Sequence, residues 1–314
     1  DVDAATTRAA ATWGDAGVRV ALLGDPGCPP RALEVPDPPP LLAVRGSLDP
    51  LVAGPVVAIV GARAATDYGR GVAAWLAEAA AEAGAHVVSG GAVGIDGAAH
   101  GAAAELRGRT TVVLGCGHDV PYPRPHAAAG GLFDRVVDAG GAVVSECLPG
   151  VPPRAERVRA RNRLVAGLAD VVVVVEGGPR SGSLITATAA GERGVTVMAV
   201  PGDVRAPGSA APHRLLVEGA APCTTPDDLL AVLGRQPHPA DPGDDGGSDG
   251  TAVSVLPPAV RRVLAAAWPR HVALDALARD SGLDTGSLLA ALTRARVAGE
   301  VAQGPRGAVL RRAP

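Results

Sequence analysis

Lysine is absent from the 314-residue chain, and all 29 of its basic residues are arginine. That excludes a phosphate-binding loop of the G-x-x-x-x-G-K-[ST] type, whose lysine reaches the phosphates. It leaves the planar guanidinium fork, which grips a phosphate through two bonds, as the chain's only permanent side-chain cation. Aromatics are scarce, with three Trp, two Tyr and one Phe, so base stacking cannot supply most of the affinity for a nucleic acid. Cys28, Cys116, Cys147 and Cys223 stand far apart, with no second cysteine or histidine at zinc spacing. Reduced, packed thiols are therefore expected, and no metal, redox pair or cofactor. No stretch of about 18 uninterrupted apolar residues occurs, and the first residues lack the charged start and apolar run of a secretory signal. A soluble, cytoplasmic protein is the expectation.

What is present is placed rather than spread. Acidic residues outnumber basic ones, 32 to 29, for a net charge of −3. Against that balance five arginines crowd into one short stretch: Arg154, Arg157, Arg159, Arg161 and Arg163. An anionic partner is the direct reading.

Hydrophobic residues make up 47% of the chain, enough for one large domain and a small one. Residues 1–50 are proline-rich and weakly patterned, with prolines at 36, 38, 39 and 40; they read as a short lead-in. From Val56 short apolar runs alternate with alanine-rich, helix-length segments. The runs are Val56 to Val60, His86 to Ser89, Thr111 to Gly115, Ala142 to Ser145, Val171 to Val175 and Val195 to Val200. Alternation of this kind predicts an α/β domain over residues 51–234, a Rossmann-like parallel sheet with helices on both faces. Each run ends in small or polar residues, and ligands of open parallel sheets sit at those carboxyl ends.

Residues 235–250 are Pro, Gly, Asp and Ser with almost no apolar content, a flexible acidic linker. Within residues 251–314, Ala259 to Ala267, Leu274 to Ala278 and Ser287 to Ala298 read as three helices, and Glu300 to Leu310 as a short hairpin. Three helices and a β wing predict a small winged-helix domain.

Among the strand ends, Gly61 lets a ligand approach the backbone while Arg63 projects over it, although by themselves these residues read as a tight turn with a solvated arginine. Gly90 and Gly91 open the next connection, followed by Asp96 and His100 one helical turn apart. That spacing suits a metal or a proton relay, but a carboxylate near a helix start is more often a cap, and a structural role is expected for both. Gly115 and Gly117 begin a G-x-G whose sixth position is Val120, which fits a dinucleotide fingerprint poorly. The cluster Arg159, Arg161, Asn162 and Arg163 is expected to open a helix. There, guanidiniums near its start would oppose the helix dipole unless an anion accepts from both. Ser181, Gly182, Ser183 and Thr186 then supply hydroxyls and free amides at a helix start, a phosphate cradle or an ordinary serine cap.

In order along the chain, Gly61 to Arg63, Ser89 to His100, Gly115 to Pro123, Ser145 and Glu146, Arg161 to Gly167, Glu176, Ser181 to Ala187 and Val200 to Gly202 resemble the DNA-processing protein A (DprA, or Smf) family. The resemblance runs over about residues 18 to 234, and residues 251–314 are similar to the family's common winged-helix appendage. It implies a dimer that binds single-stranded DNA non-specifically and without catalysis, and hands it to the recombinase RecA in natural transformation. Carried over by position, Arg63 matches the family's strand-end arginine. Arg161, Asn162 and Arg163 match its arginine-asparagine-arginine motif, and Ser181, Gly182, Ser183 and Thr186 its phosphate-contacting loop. The chain departs from the family at Val158 and Arg159, where Phe-Pro is usual, and at His213, where asparagine is common; the family's amino-terminal helical module is expected to be shortened or missing.

Two other classes compete. Nucleotide phosphoribohydrolases share this type of sheet and carry a P-G-G-x-G-T-x-x-E loop, but Thr186 stands where their glutamate does the acid–base chemistry. A transcription regulator would read duplex DNA through the winged helix, whose candidate recognition helix offers Arg294 and Arg296 among mostly alanine, leucine and serine.

Overall fold

A computed structural model describes residues 11–25, 28–52, 54–106, 109–234, 256–267, 272–297, 301–304 and 307–310. The chain divides into two compact units, residues 1–238 and 239–314; the linker expected at 235–250 lies outside the described residues.

In the first unit the described strands are β1 (Arg19–Leu22), β2 (Leu41–Gly46), β3 (Val56–Val60), β4 (His86–Ser89), β5 (Thr110–Leu114), β6 (Ala142–Ser145), β7 (Val171–Val174), β8 (Thr196–Ala199) and β9 (Ala221–Pro222). They form one sheet in the order β1-β2-β6-β5-β4-β3-β7-β8-β9. From β6 to β9 all neighbours are parallel. The chain builds outward from β3 to β6 in one direction and then returns to place β7 on the other side of β3. Strand order therefore reverses between β3 and β7, where α/β sheets hold their ligands.

Every residue of β3 and β7 is buried, as expected of strands covered on both faces. Alternate side chains feed two separate cores. Val56, Ala58, Val60, Val172 and Val174 pack with Leu164, Val165, Ala187 and Ala190. On the opposite face Val57, Ile59, Val171 and Val173 pack with Val72, Leu76, Ala80, Ile95 and Ala99. The first face is thus covered by α4 (Ala155–Gly167) and α5 (Gly182–Gly191), and the second by α1 (Asp67–Glu82) and α2 (Ile95–Ala104). A shorter helix, α3 (Leu132–Asp138), precedes β6, and α6 (Ala210–Val217) and α7 (Pro226–Val232) close the unit.

The expected lead-in is part of this sheet. β1 and β2 pair with each other antiparallel, and β2 pairs antiparallel with β6, while Trp13 and Val18 bury against Ala43. The boundary at residue 50 is therefore not an edge of the folded unit: a weakly patterned, proline-rich segment gains its order from an existing sheet edge rather than from its own periodicity.

The second unit contains α8 (Pro258–Ala267), α9 (Leu274–Ser281) and α10 (Thr285–Val297), then the antiparallel hairpin of β10 (Val301–Gly304) and β11 (Gly307–Leu310). Gly282 ends α9 in the left-handed region at φ 71°, as a helix C-cap requires. Val260, Leu264, Leu277, Leu288, Leu292 and Val301 form its core. This is the element order of a winged helix.

Candidate nucleic-acid interface

A cleft of about 410 Å3 opens at the carboxyl ends of β3 and β4, over the switch point. Its floor and walls come from five segments that are distant in sequence: Gly61 to Arg63 after β3, Gly90 and Ala92 after β4, Tyr122 in the loop after β5, one face of α4, and residues from Ser181 to Thr186 at the start of α5. Along α4 the lining residues are Arg154, Val158, Arg161, Asn162 and Val165, with Arg159 beside them. Spacings of three and four residues put the first five on a single helical face.

The cluster does not open the helix as expected. α4 begins at Ala155, with Arg154 as its N-cap, so Arg159 to Arg163 lie in the second and third turns. Most of the conflict with the helix dipole disappears, because that effect is confined to the first turn.

The arginines divide into three kinds. Arg63, Arg154 and Arg159 are exposed at the cleft. Arg161 is buried, at 5% exposure; its Nη1 donates to the Val113 carbonyl, while its Nε has no partner within the protein. A Cβ built on Gly90 would fall 2.5 Å from Arg161 Nη1, so glycine there makes room for the guanidinium. Burial lowers the pKa of Arg161, and the neighbouring Asp96 carboxyl opposes that fall. Arg163 points away from the cleft: Nη1 and Nη2 donate to Glu146 Oε1 and Oε2, and Nε and Nη2 to the Asp37 carbonyl. Its charge is matched within the protein.

Four arginines thus face one lining carboxylate, Asp96. Asp96 is buried, accepting from the amides of Gly90 and Ala92. Burial pushes its pKa up, against the lowering influence of Arg161 and of those amides. It shapes the Gly90 turn, as a capping carboxylate would. His100, one turn on, is buried with Nδ1 2.7 Å from Thr110 Oγ1. Gly91 lies outside the lining: its φ is +69°, and a Cβ there would meet Val112 and Phe133, so it turns the chain against the core.

At α5, Ser181 is the N-cap and accepts from the Ser183 amide at 3.3 Å, and the two hydroxyls lie 2.8 Å apart. Asn162 Nδ2 donates to the Gly182 carbonyl at 3.2 Å, tying α4 to the start of α5. Gly182, Ser183 and Thr186 complete this wall. An anion entering here meets guanidiniums on one side and a helix N-terminus on the other.

Arg154 and Tyr122 line the cleft but were not among the expected DNA-binding residues, although Arg154 belongs to the arginine cluster and Tyr122 to the matched stretch Gly115 to Pro123. Arg154 is on the lining face by helical spacing, a signal available once α4 is in register. Tyr122 arrives from the loop after β5, and its hydroxyl accepts from Arg63 Nη1 at 3.0 Å.

Comparison with known proteins places the fold in a family. The family model of DNA recombination-mediator protein A matches residues 19–234. The chain belongs to that family. A Mycobacterium tuberculosis relative is 45% identical over 249 residues, which is 79% of this chain and 62% of the relative. The chain therefore spans under two thirds of that relative's length. Among solved structures, DNA processing protein A (DprA) of Streptococcus pneumoniae superposes with a TM-score of 0.61 at 38% identity, covering 68% of this chain and 74% of that one. DNA processing protein A of Helicobacter pylori, whose structure addresses a single-stranded DNA binding mode, gives 0.61 at 28% identity, over 68% of this chain and 95% of its own. The match to the DprA family begins at Arg19, the first residue of β1, so the antiparallel edge belongs to the family domain.

Proposed function

We propose that this DprA-family chain binds single-stranded DNA along the arginine-lined cleft without sequence preference and without catalysis, and presents it to RecA during transformation and recombination. The observation that carries the reading is the concentration of Arg63, Arg154, Arg159 and Arg161 around one cleft on a chain of net charge −3. Guanidiniums and a helix N-terminus recognise phosphate and carry no base code. Protection of incoming DNA follows from burying its backbone in the cleft. A homodimer in the cytoplasm, with RecA as its protein partner, completes the proposal. No described helix is long and apolar enough to cross a membrane.

The phosphoribohydrolase reading is weaker for a specific reason. Thr186, at the position of the catalytic glutamate, lines the cleft, and the lining carboxylate, Asp96, is engaged by backbone amides. A general acid–base needs a free carboxyl within reach of its substrate.

The test is fluorescence anisotropy of a labelled single strand and its duplex across a salt series. Preference for the single strand with a steep salt dependence supports the reading. Release of free base from a nucleoside monophosphate, or a duplex-specific complex through residues 251–314, would replace it.

A further inference from the structure

We infer that Tyr122 is a stacking platform for one base of the bound strand and that its hydroxyl aligns Arg63 on the neighbouring phosphate. This rests on the reading of the cleft as a single-strand site. Tyr122 is the only aromatic side chain lining the cleft among the described residues. It is half-buried, packed against the cluster of Leu114, Cys116, Leu132 and Phe133. A ring supported from behind and open to a cavity loses little freedom when a base lies on it, which is the condition for a stacking platform. The lining around it interleaves apolar side chains, Pro153, Val158 and Ala92, with the exposed guanidiniums of Arg63, Arg154 and Arg159. A polynucleotide strand offers both kinds of group, bases and phosphates, to such a surface.

The 3.0 Å hydrogen bond from Arg63 Nη1 to the Tyr122 hydroxyl links the two halves. The phenol oxygen fixes one arm of the guanidinium and leaves its remaining donors for phosphate. Every base has a π face, so a single platform of this kind adds affinity without adding sequence preference.

The test compares oligo(dT) with an abasic oligomer of the same length, at one salt concentration, on the unaltered chain, Tyr122→Leu and Tyr122→Phe. The unaltered chain is expected to prefer oligo(dT) by about tenfold. Tyr122→Leu should bind both oligomers equally, and Tyr122→Phe should keep the preference while binding both oligomers more weakly than the unaltered chain, because Arg63 loses its hydroxyl partner; unchanged affinity of Tyr122→Phe for both oligomers overturns the alignment of Arg63. Equal binding of both oligomers by the unaltered chain, or a preference retained in Tyr122→Leu, overturns the stack while leaving the cleft reading standing. Failure of the unaltered chain to bind either oligomer overturns both. Photo-cross-linking of a 5-iododeoxyuridine strand to the unaltered chain needs no variant: attachment at Tyr122 is expected, and attachment only elsewhere contradicts the proposal.

Discussion

Arg163 holds the Glu146 carboxylate through two hydrogen bonds, 2.8 Å from Nη1 and 2.6 Å from Nη2, two residues after the arginine that forms the cleft floor. The pair is about one-fifth exposed on each side and fastens α4 to the end of β6. Adjacent members of one arginine cluster thus do different work: Arg161 faces the cleft and Arg163 the scaffold.

Arg163→Ala should therefore act on stability. Losing charge-assisted hydrogen bonds and leaving Glu146 unpaired costs about 1–3 kcal/mol, so thermal denaturation should show a lower Tm while the salt dependence of DNA binding is unchanged. Glu146→Gln should move Tm in the same direction.

Arg154→Ala and Arg159→Ala should do the reverse. Both side chains are exposed at the cleft, and removing one guanidinium from a phosphate should reduce the log–log salt slope by about 0.7 for a single strand. Anisotropy titrations in a KCl series measure the slope, and melting curves should overlay that of the unaltered chain.

Gly90→Ala places a Cβ 2.5–2.8 Å from the Arg161 guanidinium. Arg161 is buried and bonded to Val113, so it has little room to yield. A loss of about 1–3 kcal/mol is expected from overpacking, together with weaker binding. Urea denaturation reads the first effect and anisotropy the second.

Much of the fold and of the cleft was legible in the sequence, for physical reasons that also explain the rest. β3 to β8 each left a mainly apolar run, because the sheet's interior strands are buried on both faces, and the small residues after them marked the strand ends. β1, the sheet edge, has only Ala21 buried and left no such trace, and the apolar run Leu41 to Val44 of β2 was masked by the prolines that precede it. The direction of Arg163 was not legible, since Arg159 and Arg161, also two residues apart on α4, both line the cleft; Arg163 is turned away by Glu146, which only the fold brings beside it. Tyr122 was marked by the matched stretch Gly115 to Pro123, but its partner was not, since only the return of the β5 loop brings it to Arg63, 59 residues away.

Acid should destabilise the fold through its buried histidines. Burial lowers His86 and His100 to about 3 and also lowers His118. The unfolded chain takes up protons at these sites below about pH 6.5, which in the folded chain His86 and His100 refuse until near pH 3. Stability contributed by the neutral rings is thus complete above pH 6.5 and falls as pH drops from 6.5 toward 3. Between pH 7 and 5 the loss is about 1–2 kcal/mol for each of His86 and His100. Urea denaturation at stepped pH should show this decline, and His100→Gln should shallow it.

Removing Arg63, Arg154 and Arg159 together tests the cleft most directly. In a salt series with a labelled single strand and its duplex, the unaltered chain should prefer the single strand with a steep negative slope. The Arg63→Ala, Arg154→Ala, Arg159→Ala variant, melting normally, should bind weakly with a nearly flat slope. Unchanged affinity and slope in that variant would contradict the assignment of the cleft.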